Sequence, residues 1–474
     1  MPADEPVTAV SDTGTLDPAD LDTCLRVLAR ARDADPGDPR WLEVRRAADQ
    51  VHRSVKKSRR SARRAERRRL DGEATSAATR HRQEIPDTGP VSAPPPAAPS
   101  RPLVGARRCY VCKTPYDRVH PEYHLLCSAC AEENLARRHA RCDLRGRRAV
   151  VTGGRTKIGF HTVLKLLRDG AEVVATTRFP ADAARRFAAV SDSADWLDRL
   201  RVHGLDLLDL AGVADFLDTL HRDVDHLDIL VNNAAQTLRR PPAYHREVRA
   251  AERLPLTGDA ARVHVTRAPG SAPAALAAGT TALAPSPATA PAVRWEELFP
   301  AGRTDETGEP LDLRDRNSWS LRLHEVDPAE WMEVQVVNAF APFLLTSRLR
   351  GLLEASPFPD RYVVQVSAME GSFSRERKTV RHPHTNMAKA SLNMLTRTSA
   401  ADYAAAGIHM NSVDTGWVTD ERPHPDKAVQ RAAGFRPPLD AVDGAARVYD
   451  PVVRGVGGER LSGLFLKDYR AVEW

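Results

Sequence analysis

Arg148-Ala149-Val150-Val151-Thr152-Gly153-Gly154-Arg155-Thr156-Lys157-Ile158-Gly159 decides how this chain folds. A short apolar strand runs into a glycine turn, and Val163, Leu164, Leu166 and Leu167 then supply one face of a helix. Gly170 closes that helix, and residues 172–176 read as the next strand. Such a strand–turn–helix–strand start leaves free helix N-terminal amides and a positive dipole end facing a pyrophosphate-sized anion. Strands and helices go on alternating from Arg147 to Trp474, the pattern of a parallel sheet covered on both faces. The expected class is therefore α/β with a doubly wound parallel sheet.

The chain has 474 residues, too many for one ordinary domain. Residues 1–83 are charge-rich and read as helical or disordered, and residues 84–106, with Pro94-Pro95-Pro96, read as an extended linker. A Cys-rich module follows at 107–145, and the α/β domain spans 146–474 with an insertion at 239–326. The middle of that insertion, residues 268–293, is mostly Ala, Pro, Ser and Thr, which predicts a loop without its own core. No apolar run is long enough to span a bilayer and the acidic start lacks a signal-peptide pattern, so a cytoplasmic protein is expected.

The net charge of +6 is unevenly spread. Residues 53–69 hold ten Lys or Arg and one acid (Glu66), a local +9, which leaves about −3 for everything else. Such an arm binds nucleic acid or an anionic surface through phosphate contacts, or is simply a solvated helix. No aromatic residue interleaves it.

Four of the six cysteines form two tight pairs, Cys109-x2-Cys112 and Cys127-x2-Cys130. Pairs at this spacing place four thiolates around a tetrahedral ion, and zinc is the expected occupant. Iron in the same cage, or a redox dithiol, are the alternatives. His120 and His124 lie between the pairs as second-choice ligands. A closed four-thiolate site has no open position, so its expected role is structural or in docking.

From Arg147 onward the motifs, in order, resemble the short-chain dehydrogenase/reductase family, a Rossmann-type fold. The turn resembles the family's Thr-Gly-x-x-x-Gly-x-Gly loop, with Thr152, Gly153, Ile158 and Gly159 in place and Lys157 where the middle glycine belongs. Arg178 ends the second strand where an acid would bind a ribose hydroxyl; with Arg155 it favours NADP, with NAD possible. Asp206 matches the adenine-contacting acid, and Asn232-Asn233-Ala234-Ala235 resembles Asn-Asn-Ala-Gly, bordering the cofactor. Asn338 aligns with the Asn that holds a water in the proton relay, and Lys389 with the Lys that grips the cofactor ribose. Residues 411–418, including Gly416 and Val418, resemble the run beside the nicotinamide.

The resemblance also exposes what is missing. The family's Tyr lies four residues before the Lys, and here that position is Thr385. Ala368 stands where the catalytic Ser belongs, with Ser367 one place early. A helix from about Thr385 to Ala406 would put Thr385 and Lys389 on one face, aimed into one cleft. A Thr hydroxyl is far too weak an acid for the task, so His384 or His382 is the candidate proton donor, or a relay runs through Lys389, or these histidines merely line a loop. Two functions follow: an NADP-dependent oxidoreductase acting on an unknown carbonyl or alcohol with altered proton chemistry, or an NADP-binding sensor or scaffold without turnover. The resemblance also implies a homo-oligomer built on the helices of Asn338 and Lys389.

Overall fold

The computed structural model describes residues 16–82, 99–267, 294–305, 307–376 and 378–474. The chain forms two compact units, residues 1–71 and 72–474. The first holds the helix Pro18–Asp33 and most of the helix Pro39–Ser76. Asp17 caps the shorter helix by accepting from the Ala19 amide at 2.8 Å. Arg45 joins the two, donating to the carbonyls of Ala31 and Ala34.

In the second unit, strand β1 (Arg101–Arg108) pairs antiparallel with β2 (Pro115–Val119). β1 starts inside the stretch expected to be linker up to residue 106, which corrects that boundary. Half-buried Leu103, Gly105 and Arg107 alternate with exposed neighbours, a period of two that the proline and alanine content hides. The Pro94-Pro95-Pro96 run itself lies outside the described residues.

The central sheet contains β3 (Arg148–Thr152), β4 (Glu172–Thr177), β5 (Leu200–Gly204), β6 (Ile229–Asn232), β7 (His264–Arg267), β8 (Arg361–Ser367), β9 (Ile408–Asp414), β10 (Phe465–Lys467) and β11 (Arg470–Val472). Their order is β11-β10-β9-β8-β6-β3-β4-β5-β7, parallel except for the β10–β11 pair. The chain winds one way from β3 to β5 and the other way through β6, β8, β9 and β10, with β7 returning to the β5 edge. Between β3 and β6 lies the reversal that opens a crevice at the carboxyl ends of the strands.

The strands carry continuous apolar runs because helices cover both faces. Val151 packs with Leu164, Leu167, Val448 and Val452 on one side. Its neighbour Val150 faces the other way, onto Phe216, Leu345 and Val363. Each such buried side chain contributes about 1.5–3 kcal/mol.

The loop expected at 268–293 lies outside the described residues, and the flanks of the insertion add β7 to the sheet edge, parallel to β5. They also bury Tyr244 and Phe299, whose rings meet edge-on at 5.6 Å. These apolar residues sit only at the ends, so the composition of the middle conceals them. At the C-terminal end, β10 and β11 pair antiparallel as a hairpin.

The Cys-rich module is part of the same compact unit as the sheet. Leu126 and Ala131 pack with Leu439, the Tyr123 hydroxyl donates to Asp443 at 2.7 Å, and Arg138 bridges Asp440 and Asp443.

Candidate active site

A cleft of about 1770 Å³ opens at the carboxyl ends of β3, β4, β6, β8 and β9. Small-molecule pockets usually measure about 300–1,000 Å³, so there is room here for a dinucleotide and a second molecule. Steric necessity builds its floor. Gly153 has φ +69°, and a Cβ there would lie 3.0 Å from Ala234 Cα. A Cβ on Gly159 would lie 2.2 Å from the Gly153 carbonyl oxygen. Thr152 Oγ1 accepts from the amides of Asn233 and Ala234 at 3.0 Å, and Asn233 Nδ2 donates to the carbonyls of Thr152 and Gly153. Thr156, at the start of the helix Lys157–Arg168, makes no side-chain cap, which leaves the first-turn amides to an anion.

Lys157 shows why the family's loop has a glycine at its position: its φ is +52°, which costs a residue with a Cβ about 1–2 kcal/mol. Its ammonium lies 3.4 Å from Glu421. Although burial opposes the charge, Glu421 and Asp305 hold its pKa up. The side chain thus carries a partner across the cleft wall. Ile158 and Gly159 line the cleft beside it, as do Gly416, with φ +75°, and Val418.

Arg155 corrects one expectation. It is not free for a 2′-phosphate, because Asp182 (2.7 Å) and Glu309 both pair with its guanidinium. Glu309 belongs to the insertion, a partner too distant in sequence to foresee. Arg178 is different: it is exposed within the cleft, and among the described residues no carboxylate pairs with it. Burial of its surroundings lowers its pKa. Asp206 lines the same end and caps the Leu208 amide at 3.0 Å.

The other end of the cleft departs further from expectation. Lys389 reaches it and donates from Nζ to the Val366 carbonyl at 2.7 Å. Burial lowers its pKa to about 8, opposed by Glu370. Thr385 does not border the cleft: it is 2% exposed and its hydroxyl is unpartnered. One helix, Pro383–Ala405, carries both residues, but a hydroxyl on Cβ stops short where a four-carbon stem arrives.

His384 is also turned away, fully buried, with Nε2 3.7 Å from Glu330. His382 stacks on Trp319 at 3.9 Å and pairs with Asn386, and burial lowers its pKa. Ser367 donates to Asn393 at 2.6 Å, so its hydroxyl serves the helix instead of the cleft. Asn338 is wholly buried in a π-helical turn, and Gln236 takes both ends of its amide, at 2.6 and 3.1 Å. It ties down the loop after β6, and its amide is not left to hold a water.

Two family profiles match this chain: one described as short chain dehydrogenase over residues 147–257, and one described as enoyl-(acyl carrier protein) reductase over residues 316–436. An uncharacterized protein of Acanthamoeba polyphaga mimivirus is 31% identical over 358 residues, covering 73% of this chain and 71% of that protein. The chain belongs to the short-chain dehydrogenase/reductase family. A carbonyl reductase (NADPH) 1 of Sus scrofa is 42% identical over 101 residues, which is 20% of this chain and 34% of the pig enzyme. The NADPH-bound carbonyl reductase from chicken fatty liver is 18% identical, with a TM-score of 0.42 over 70% of this chain and 100% of that one.

Unlike the family motifs, the Cys-rich module gives this short-chain dehydrogenase/reductase a wall of its own. Tyr110, between Cys109 and Cys112, borders the cleft, and its hydroxyl accepts from the Trp417 amide at 2.9 Å. Lys467 sits 5.5 Å from the Tyr110 ring and 3.4 Å from Asp414. Burial raises the pKa values of Tyr110 and Asp414. Neither Tyr110 nor Lys113, also in the wall, stands out in the sequence; the knuckle spacing around Tyr110 was the available signal.

The sulfur atoms of Cys109, Cys112, Cys127 and Cys130 lie within 4.8 Å of one another. A tetrahedral zinc with Zn–S bonds of 2.3 Å needs sulfurs about 3.8 Å apart, so the set fits. His120 pairs with Glu132 and His124 with the Arg436 carbonyl, outside the cluster.

Proposed function

We propose that this short-chain dehydrogenase/reductase is an NADP-dependent oxidoreductase that interconverts a carbonyl and an alcohol, with Lys389 managing the proton. The observation that carries this reading is Lys389: buried in the cleft, without a carboxylate partner among the described residues, and brought by burial to a pKa of about 8. NADPH, when bound, supplies a hydride to the carbonyl carbon. The Lys389 ammonium then donates a proton to the carbonyl oxygen as its negative charge develops, and the neutral amine recovers a proton from solvent. Gly153, Gly159 and the amides of the helix Lys157–Arg168 hold the pyrophosphate, and Arg178 receives the 2′-phosphate. Cys109, Cys112, Cys127 and Cys130 hold a structural zinc.

Exposed Met332, Phe340, Phe343, Met387 and Met394 lie on the segments Pro328–Arg348 and Pro383–Ala405, and they support pairing of two copies there. Among the described residues no helix is long and apolar enough to cross a membrane.

The test is a titration with NADPH and NADH, followed by turnover over a panel of aldehydes and ketones. Tighter NADPH binding with carbonyl-dependent oxidation is expected. Reduction should be lost in Lys389→Met and unchanged in His384→Ala. Tight NADPH binding with no turnover on any carbonyl would leave a cofactor-binding sensor in place of an enzyme.

A further inference from the structure

The oxidoreductase reading makes no use of the basic segment in the first unit. In the structure that segment lies within the continuous helix Pro39–Ser76, and every residue from Val51 to Leu70 is exposed. The helix turns 3.6 residues per cycle, so its ten cations can be placed on its circumference. Arg53, Lys57, Arg60 and Arg64 follow one another at steps of four, three and four residues and form a single row. Lys56 and Arg63 flank the row on one side and Arg67 and Arg68 continue it, so eight cations share an arc of roughly 140°.

Arg59 and Arg69 lie off this stripe, and Arg69 pairs with Glu66 at 2.7 Å. On the stripe, Arg53 and Arg67 meet Asp49 and Asp71 at 3.8 and 3.5 Å. The other six have no carboxylate partner among the described residues. Ion pairing within this unit therefore leaves most of the stripe's charge free.

We propose that this stripe docks along the phosphates of double-stranded DNA, independently of base sequence. The eight cations run for about 22 Å, a length over which a duplex presents roughly thirteen phosphates. A helix about 10–12 Å across fits the major groove of B-form DNA, about 12 Å wide, whereas the groove of double-stranded RNA is too narrow. Single strands are bound through aromatic stacking, and no Phe, Tyr or Trp occurs between Trp41 and Tyr110. Contacts from these cations to phosphates carry no sequence information, so the proposed contact is electrostatic. A membrane surface fits poorly, because the opposite face offers Ser54, Ser58, Ala62 and Ala65 with Val55 as its one bulky apolar residue between 53 and 69.

Fluorescence anisotropy of a labelled 20-base-pair duplex of arbitrary sequence, titrated with the full-length protein across about 50–200 mM salt, tests this. The expected log–log slope is about −4 to −7, the value for five to eight phosphate contacts. Replacing Arg53, Lys57, Arg60 and Arg64 by Gln should make that slope shallower by about 3–4 and cut affinity more than about 100-fold. The off-stripe pair Arg59→Gln and Arg69→Gln should change affinity less than about threefold. Gln keeps helix propensity, and circular dichroism confirms that each variant retains its helix. The proposal fails if the wild type does not bind DNA at the lowest salt. It fails too if both variants lose the same affinity per charge, or if phosphatidylserine vesicles are bound more tightly than the duplex.

Discussion

The two ends of the cleft are built on different principles. At the glycine-turn end, where we propose that the phosphates bind, the shape rests on where the backbone can go: a Cβ at Gly153 or Gly159 would meet backbone atoms within 3.0 Å. Asn233 and Thr152 then lock the loop. At the Lys389 end, where we propose that the proton moves, the site rests on individual side chains, and several of these differ from the family pattern. Thr385 is sealed, Ser367 lines the cleft but gives its hydroxyl to Asn393, Ala368 lines it without a hydroxyl, and Lys389 brings a titratable group to it. A turn fixed by backbone sterics holds its shape whichever side chains stand at the other end of the cleft.

Breaking the backbone-fixed end gives the largest effect on cofactor binding. Gly159→Ala forces its Cβ onto the Gly153 carbonyl, and overpacking of about 3 kcal/mol should weaken NADPH binding about 100-fold, read by calorimetry. If affinity is kept, the loop is not the phosphate site.

At the side-chain end, Lys389→Met should abolish reduction and yet stabilise the protein. The Lys389 pKa is depressed in the folded state, so the unfolded chain takes up the proton first as pH falls from about 10.5 to about 8. Wild-type stability therefore rises with pH through that window, and below it the buried charge costs the fold about 3 kcal/mol. Met removes this slope, which thermal unfolding at pH 7 and pH 10 would show. In the wild type, the reduction rate should fall as pH rises through about 8, because the ammonium is the donating form.

Arg178→Ala sharpens the comparison within the phosphate end. A charge-assisted contact of about 1.5–3 kcal/mol corresponds to a loss of about 10–100-fold in NADPH over NADH preference, with NADH binding little changed. Equal losses for both cofactors would assign Arg178 a structural role. The smallest effect belongs to the wall from the Cys-rich module. Tyr110→Phe leaves the Trp417 amide without its acceptor, and about 1 kcal/mol should raise the KM for NADPH about fivefold with kcat nearly constant.

Much of this was legible in the chain. The run from Arg148 to Gly159 carries period, turn and helix start within twelve residues, so the strand–turn–helix unit follows from local stereochemistry. Cys spacing fixes a four-sulfur cluster because each knuckle is local. The loss of the Tyr at 385 is a fact of sequence alone.

Tertiary structure decided the rest, since it depends on contacts between residues far apart in the chain. Arg155 looked like a phosphate ligand until Glu309, more than 150 residues away, took it. His384 looked like a proton donor until the helix Pro383–Ala405 turned it toward Glu330. Tyr110 carries no signal of its own in the sequence, and packing of the module beside β9 and β10 places it in the cleft. The sequence by itself determined the backbone that can hold a dinucleotide. Which side chains face it was decided by packing, because facing depends on what else fills the space.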